Sequence, residues 1–377
     1  MVPLCFIDLY MSHIDFLIFC LDQQRELPAS ASGIDWNEML VWAERQAIVG
    51  VVFEGIQKAG KALEIPTDIL FKWIGRGQQI EMQNRIVNKR CVELTEQLRN
   101  EGFYCCILKG QGNATMYPNP YSRTPGDIDV WIKAQSDGRC KKGDVIEYAK
   151  KQDPKAEARY YHVEYQWKGV SVELHFMPGI MNNPIYNRRL QRFYRKMVDG
   201  ECMMAELPDG VGEIPVPTNE FNLVFQMAHI MHHFFDEGIG LRQMIDYYFL
   251  LKSGNNNQVH GSKLMVNGST ENMKETLKYL NLYKFAGAVM YIMKEILGLA
   301  DEYLIVPVDE RRGQTLLKEI LKGGNFGHYS NLDQNNAAKK YFQKTWRNMH
   351  LVREYPAEAL CEPIFRTWHF FWRMMNG

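Results

Sequence analysis

A chain of 377 residues with 44 basic and 44 acidic side chains has no net field to hold a polyanion, so a polymerase-like grip on nucleic acid is disfavoured and no strong non-specific nucleic-acid binding is expected. Hydrophobic residues at 46% and charged ones at 23% exclude a disordered chain, and the length exceeds one ordinary core, which stops growing at roughly 250–300 residues. Eight scattered cysteines without a Cys-x-x-Cys pair exclude a zinc knuckle or a redox motif and fit reduced, buried thiols.

The stretch Met1–Leu21 is apolar, but Asp8, His13 and Asp15 interrupt it and no Lys or Arg precedes Arg25. Neither a signal peptide nor a spanning helix fits, so no membrane partner is expected and the cytoplasm is the expected compartment, with Met11 an alternative start. From Ile34 to Gly60 apolar residues recur at helical spacing, and Asp68–Asn100 reads as a long amphipathic helix ended by Gly102, with Gly75 and Gly77 as points where it would kink. At Phe103 the pattern changes. Phe103–Leu108 is a short apolar run, Gln111–Tyr117 a short helix stopped by Pro118, and Asp127–Lys133 alternates as a strand does. A helix over Val145–Lys151 follows, and Tyr160–Trp167, Lys168-Gly169 and Val170–Phe176 predict a hairpin with a two-residue turn. From Asn182 onward helical patterns return, notably Asn219–Phe235, Leu241–Leu251, Glu271–Leu280, Tyr283–Leu297 and Arg312–Leu321, with Ser253–Gly261 expected as a flexible loop. No internal repeat of solenoid period is present.

The chemistry concentrates in the mixed segment. Gly126-Asp127-Ile128-Asp129-Val130 puts two carboxylates at i and i+2, which on a strand share one face while Ile128 and Val130 share the other. Such a pair repels itself unless cations join it, and phosphoryl chemistry uses it to hold Mg²⁺. In the hairpin, Ser171, Glu173 and His175 share a face, which makes Glu173 the natural third carboxylate. If Trp167 pairs with Val170, Glu164 stands opposite Glu173 and His162 opposite His175. Upstream, Lys109, Gly110 and Gln111 follow a strand and open a helix, where backbone N–H groups and a lysine can meet phosphate.

The ordered set Leu108-Lys109-Gly110, Tyr117-Pro-x-Pro-x-x-Arg123, Asp127-Ile-Asp-Val and Val172-Glu-Leu-His-Phe176 resembles the uncharacterised bacterial nucleotidyltransferase branch of the polymerase-beta-like superfamily. Its motifs span Leu108–Phe176, and looser similarity in helix order covers most of the chain. The resemblance implies that Asp127 and Asp129 are ligands of two Mg²⁺ ions and that Glu173 binds one ion and helps deprotonate an acceptor hydroxyl. ATP or another NTP is the implied substrate. Lys109, Gly110, Gln111 and Arg123 are the candidate nucleotide contacts, and His175 is a candidate for orienting Glu173. The chain departs from the superfamily where Lys109-Gly110-Gln111-Gly112 replaces the usual Gly-Ser before the acidic strand, leaving open how the outer phosphates are held.

The expected fold is α+β: a small mixed sheet of nucleotidyltransferase type flanked by helices, with a helical region over residues 1–101, the α/β core over 102–180 and a helical domain over 181–377. The expected activity is transfer of a nucleoside monophosphate to a hydroxyl on a small molecule, a protein or an RNA end. A catalytically weak nucleotide-binding regulatory module and a non-enzymatic helical scaffold are the alternatives. His229, His232, His233 and Asp236 share neighbouring turns of one helix and read as hydrogen-bonding groups at a seam, with Asp246 a partner. For Arg123 a carboxylate-pairing role competes with triphosphate contact. Phe342–His350 and Arg366–Met375 read as core-packed terminal helices, and Gly323–Gly327 as a helix C-terminal turn.

Overall fold

The computed structural model describes residues 10–133, 141–198, 202–255, 269–327 and 337–376. Among the described residues four α-helices come first: α1 (Met11–Leu21), α2 (Trp36–Gln46), α3 (Val49–Ala59) and α4 (Thr67–Asn100). Helix α2 starts where Asp35 accepts from the amides of Asn37 and Glu38, an N-cap that satisfies two otherwise orphaned donors. Helix α4 runs unbroken through Gly75 and Gly77, although the sequence marks both as kink points. Gly77 serves packing instead, because a β-carbon there would stand 2.3 Å from the Phe53 ring of α3.

The sheet follows: β1 (Tyr104–Leu108), a single-turn helix α5 (Gly110–Ala114), β2 (Ile128–Lys133), α6 (Lys142–Gln152), β3 (Glu157–Ala158), β4 (His162–Trp167) and β5 (Val170–His175). Its order is β1-β2-β5-β4-β3, with β2 and β5 parallel and the other pairs antiparallel. The hairpin register is the expected one, Trp167 with Val170, Glu164 with Glu173 and His162 with His175. Lys168 and Gly169 turn it with φ of 46° and 83°, the positive values a tight hairpin needs.

Helix α7 (Pro184–Val198) and a second hairpin, β6 (Met203–Leu207) and β7 (Gly212–Val216), come next. The sequence reading, helical from Asn182 onward, overlooks this hairpin, whose strands are five residues each and only weakly alternating. Helices α8 (Asn219–Asp236), α9 (Leu241–Asn255), α10 (Ser269–Tyr279), α11 (Tyr283–Tyr291, prolonged by a π turn over Ile292–Ile296), α12 (Glu310–Gly323), α13 (Ala337–Met349) and α14 (Pro356–Asn376) complete the chain. The expected loop over Ser253–Gly261 lies outside the described residues beyond Asn255, where α9 ends. Helix α12 ends as expected at the glycine turn, with Gly324 at φ 63°.

Alternation along the strands places the site. Ile128, Val130, Ile132, Val172 and Leu174 pack with α4, α6 and the β6–β7 hairpin in one core. Cys106, Leu108 and Trp131 point to the opposite face and join a larger core built from the leading helices and from α8 to α12. Asp129, Glu173 and His175 share that second face, and α8 lies against it. Helices α13 and α14 bury polar groups, Lys344, Asn348, Glu358 and Glu362, and expose Phe342, Trp346, Ile364, Phe371 and Met375. The terminal aromatic stretches are therefore largely surface rather than core, since the inner sides of these helices face a charged cleft. Among the described residues no helix is long and apolar enough to cross a membrane.

Candidate active site

Strands β2 and β5 run side by side with Asp129 in register with Glu173. Asp127 immediately precedes β2 and, two residues before Asp129, reaches the same face. Oxygen atoms from all three carboxylates lie within 4.8 Å of one another. Lys109 sits past the end of β1 at φ 50° and ψ −138°, a backbone conformation that glycine favours, and this sharp reversal sends its side chain over the acidic strand. Its Nζ lies 3.1 Å from Asp129 Oδ1 and donates to His229 Nε2 on α8, also at 3.1 Å. His175 Nε2 lies between two carboxylates, 2.9 Å from Asp129 Oδ1 and 3.1 Å from Glu173 Oε2.

The charges respond to this crowding. The facing charge of Asp129, with desolvation in the cleft and Glu173 adding, pushes the Asp127 carboxyl up to about 6. Burial opposes ionisation of Asp129, but Lys109 and the hydrogen bond from His175 outweigh it and hold that carboxyl well below the usual range. Burial opposes the charge on His175 too, yet donation to Asp129 and Glu173 raises it to about 9, so the ring is a cation at neutral pH. His229 is held neutral by burial and by Lys109, which suits an acceptor.

Two of the expected nucleotide contacts are engaged elsewhere. Arg123 is buried and forks onto Asp246, Nε to Oδ1 and Nη2 to Oδ2 at 2.8 Å each, and the Tyr117 hydroxyl donates to the same Oδ1 at 2.7 Å. Arg123 is thus engaged in carboxylate pairing while it also borders the recess next to Lys109, and Asp246 is not the histidines' partner. Asp236 instead pairs with Lys344. The Gln111 side chain points to α4, where its amide donates to Asn84 Oδ1 at 3.2 Å and to Asn88, so it does not reach the cleft. Gly110 borders a small recess of about 40 Å³ beside Lys109 and Asp127.

Sequence reasoning missed Arg242 in that recess. Its Nη1 donates to the Thr124 carbonyl at 3.2 Å, its Nε is buried without a partner, and its guanidinium lies 5.4 Å from the Phe326 ring centre. Nothing in Gly240-Leu241-Arg242 marks it, because only the packing of α9 against the acidic loop brings it there. The recess adjoins a cavity of about 700 Å³ between the sheet and the C-terminal helices, bordered by Tyr161, His232, Lys344 and Arg373 opposite the carboxylates.

A crystal structure of an antigenic nucleotidyltransferase-like protein from Paracoccidioides brasiliensis is similar at 12% identity with a TM-score of 0.35, over 58% of this chain and 95% of that one. No curated protein matches the chain. The family model described as uncharacterised nucleotidyltransferase matches residues 32–295, a span that holds the whole acidic face, Lys109 and Arg242. With most of its length matched, the chain belongs to that nucleotidyltransferase family.

Proposed function

We propose that the protein transfers a nucleoside monophosphate, from ATP or another NTP, to a hydroxyl acceptor with release of pyrophosphate, and that it depends on Mg²⁺. The observation that supports this most is the convergence of Asp129 and Glu173, from two parallel strands, and Asp127, from the residue before the first of them, onto one point of the cleft. The donor set fits the cation: all its atoms are carboxylate oxygens, and the strain they impose on each other appears in the raised carboxyl of Asp127. When bound, Mg²⁺ ions supply Lewis-acid stabilisation of the charge that develops on the transferred phosphate.

The remaining work belongs to the chain. Lys109 and Arg242 present two cations beside the carboxylates and hold the outer phosphates, the task left open by the missing Gly-Ser. Glu173 accepts the proton of the acceptor hydroxyl, so the acceptor oxygen bonds to the α-phosphorus as the bond to pyrophosphate breaks. His175 positions both Asp129 and Glu173 through one ring nitrogen. The acceptor occupies the larger cavity, whose far wall is built by α8, α13 and α14.

Pyrophosphate release from ATP and Mg²⁺, measured across a panel of hydroxyl-bearing small molecules, proteins and RNA ends, tests the reading. At least one acceptor supports release, and Asp129→Asn abolishes it. Full turnover in that variant overturns the assignment, whereas MgATP binding by calorimetry without release for any acceptor identifies a nucleotide-binding module.

A further inference from the structure

We infer that the chain carries a second cation position of mixed nitrogen and oxygen character, formed by His162, His175 and Glu173, which takes a zinc-class divalent ion rather than Mg²⁺. The inference rests on the proposed carboxylate site in sharing Glu173 with it, and it adds two imidazoles that an Mg²⁺ site has no use for.

The β4–β5 ladder pairs His162 with His175 across the strands, and Glu173 lies two residues before His175 on the same face. Both rings are buried, with centres 5.1 Å apart. Glu173 turns one oxygen to each: Oε1 lies 3.8 Å from His162 Nε2, and Oε2 lies 3.1 Å from His175 Nε2. One donor atom from each of the three residues falls within 4.8 Å of the others. The Nδ1 atoms of both rings are buried without hydrogen-bond partners, so Nε2 is the nitrogen each ring presents to the centre. Three donors held by paired strands are already placed, and the cavity lies open beside them.

The donor types select the ion. Mg²⁺ takes oxygen ligands and keeps several waters, whereas two imidazoles and one carboxylate with a free fourth position are the ligand set of an open zinc site. Bonds of roughly 2.0–2.2 Å in a tetrahedron put donors about 3.3 Å apart; the spacings of 3.1 Å to Oε2 and 3.8 Å to Oε1 involve different oxygens of Glu173, so a turn of its carboxylate brings one oxygen to serve both rings. His175 Nε2 also lies 2.9 Å from Asp129 Oδ1, so an ion at this centre takes the place of that contact. Glu173 then belongs to two chemically different positions, one all-oxygen with Asp127 and Asp129 and one with the histidines.

Co²⁺ titrated into the metal-stripped full-length protein, followed by visible absorption and calorimetry, tests the site. The expected result is one equivalent whose bands show nitrogen ligation, displaced by stoichiometric Zn²⁺ and retained in a hundredfold excess of Mg²⁺. His162→Gln lowers Co²⁺ affinity at least tenfold while MgATP binding persists, His162→Cys restores tight binding with a sulfur-shifted spectrum, and Asp127→Asn keeps the bands. Unchanged bands in His162→Gln overturn the inference. So does displacement of Co²⁺ by Mg²⁺, a measurement on the unmutated chain that no folding defect can obscure. Intact Co²⁺ bands together with absent MgATP binding sustain this site while removing the nucleotide reading.

Discussion

Replacing Arg123 by Met separates a structural from a nucleotide-binding role for that residue. Both members of the Arg123–Asp246 pair are almost inaccessible, with side-chain exposures of 5% and 7%, and the pair is bidentate. Removing one partner of such a pair leaves a buried charge uncompensated, which costs about 3–5 kcal/mol. Asp246 keeps the Tyr117 hydroxyl and the nearby charge of Arg242, so the lower end, about 3 kcal/mol, is the expected loss. The double variant Arg123→Met with Asp246→Leu removes the stranded carboxylate as well and recovers most of that loss, giving a large coupling energy in the cycle. Urea unfolding of the four proteins measures this, and initial rates against NTP concentration measure the rest. Arg123→Met leaves KM for NTP within about twofold of the parent, because its guanidinium is spent on Asp246. A variant whose stability lies within about 1 kcal/mol of the parent but whose KM rises tenfold or more would refute the argument and return Arg123 to the triphosphate.

Arg242→Gln, in contrast, raises KM for NTP by roughly tenfold to a hundredfold, the worth of a hydrogen bond to a charged group, and leaves stability unchanged or improved, since a buried guanidinium with a partnerless Nε is removed. An unchanged KM sinks the proposed phosphate role. Asp127 makes a pH prediction for the metal-free chain. Its folded-state carboxyl at about 6 lies above its unfolded value, so the folded form holds the extra proton and stability falls as pH rises through about 6. Asp127→Asn removes that decline and stabilises the metal-free protein at pH 7–8, and Mg²⁺ affinity of the parent, read by calorimetry, falls below pH 6 as the ligand takes up its proton. Equal stability of parent and variant across that range rules out the crowding on which the reading depends.

The acidic centre was legible because its residues obey the two-residue period of strands. That period puts Asp127 and Asp129 on one face, and the Lys168-Gly169 turn fixes the register that brings His162 to His175. The parallel pairing of β2 with β5, which carries Glu173 to Asp129, is absent from the sequence reading, as no local pattern encodes which strands adjoin; the resemblance implied a shared site without giving the pairing. Gln111 was read as a phosphate contact and Arg123 as either that or a carboxylate partner, and their partners, Asp246, Asn84 and Asn88, are decided by tertiary packing. Arg242 was invisible for the same reason. The terminal helices misled through composition: hydrophobic content predicts burial on average, but here the inner faces of α13 and α14 must line a cleft of carboxylates and histidines, and their aromatic sides are left outward.

The charge balance of the centre constrains how it fills. Asp127, Asp129 and Glu173 when ionised, set against Lys109 and a protonated His175, leave a single net negative charge on these five contacting groups, with Arg242 in the adjoining recess not counted. Two divalent ions alone would turn that into three positive charges in a partly buried space, and a triphosphate alone, with roughly four negative charges at neutral pH, would turn it into five negative ones. Entering together on the proposed reading, they restore the single negative charge from which the site began. Ions and nucleotide therefore bind with strong positive coupling, each supplying the counter-charge the other lacks, and Lys109 is the residue that must move, exchanging Asp129 for phosphate as the ions take over its carboxylate.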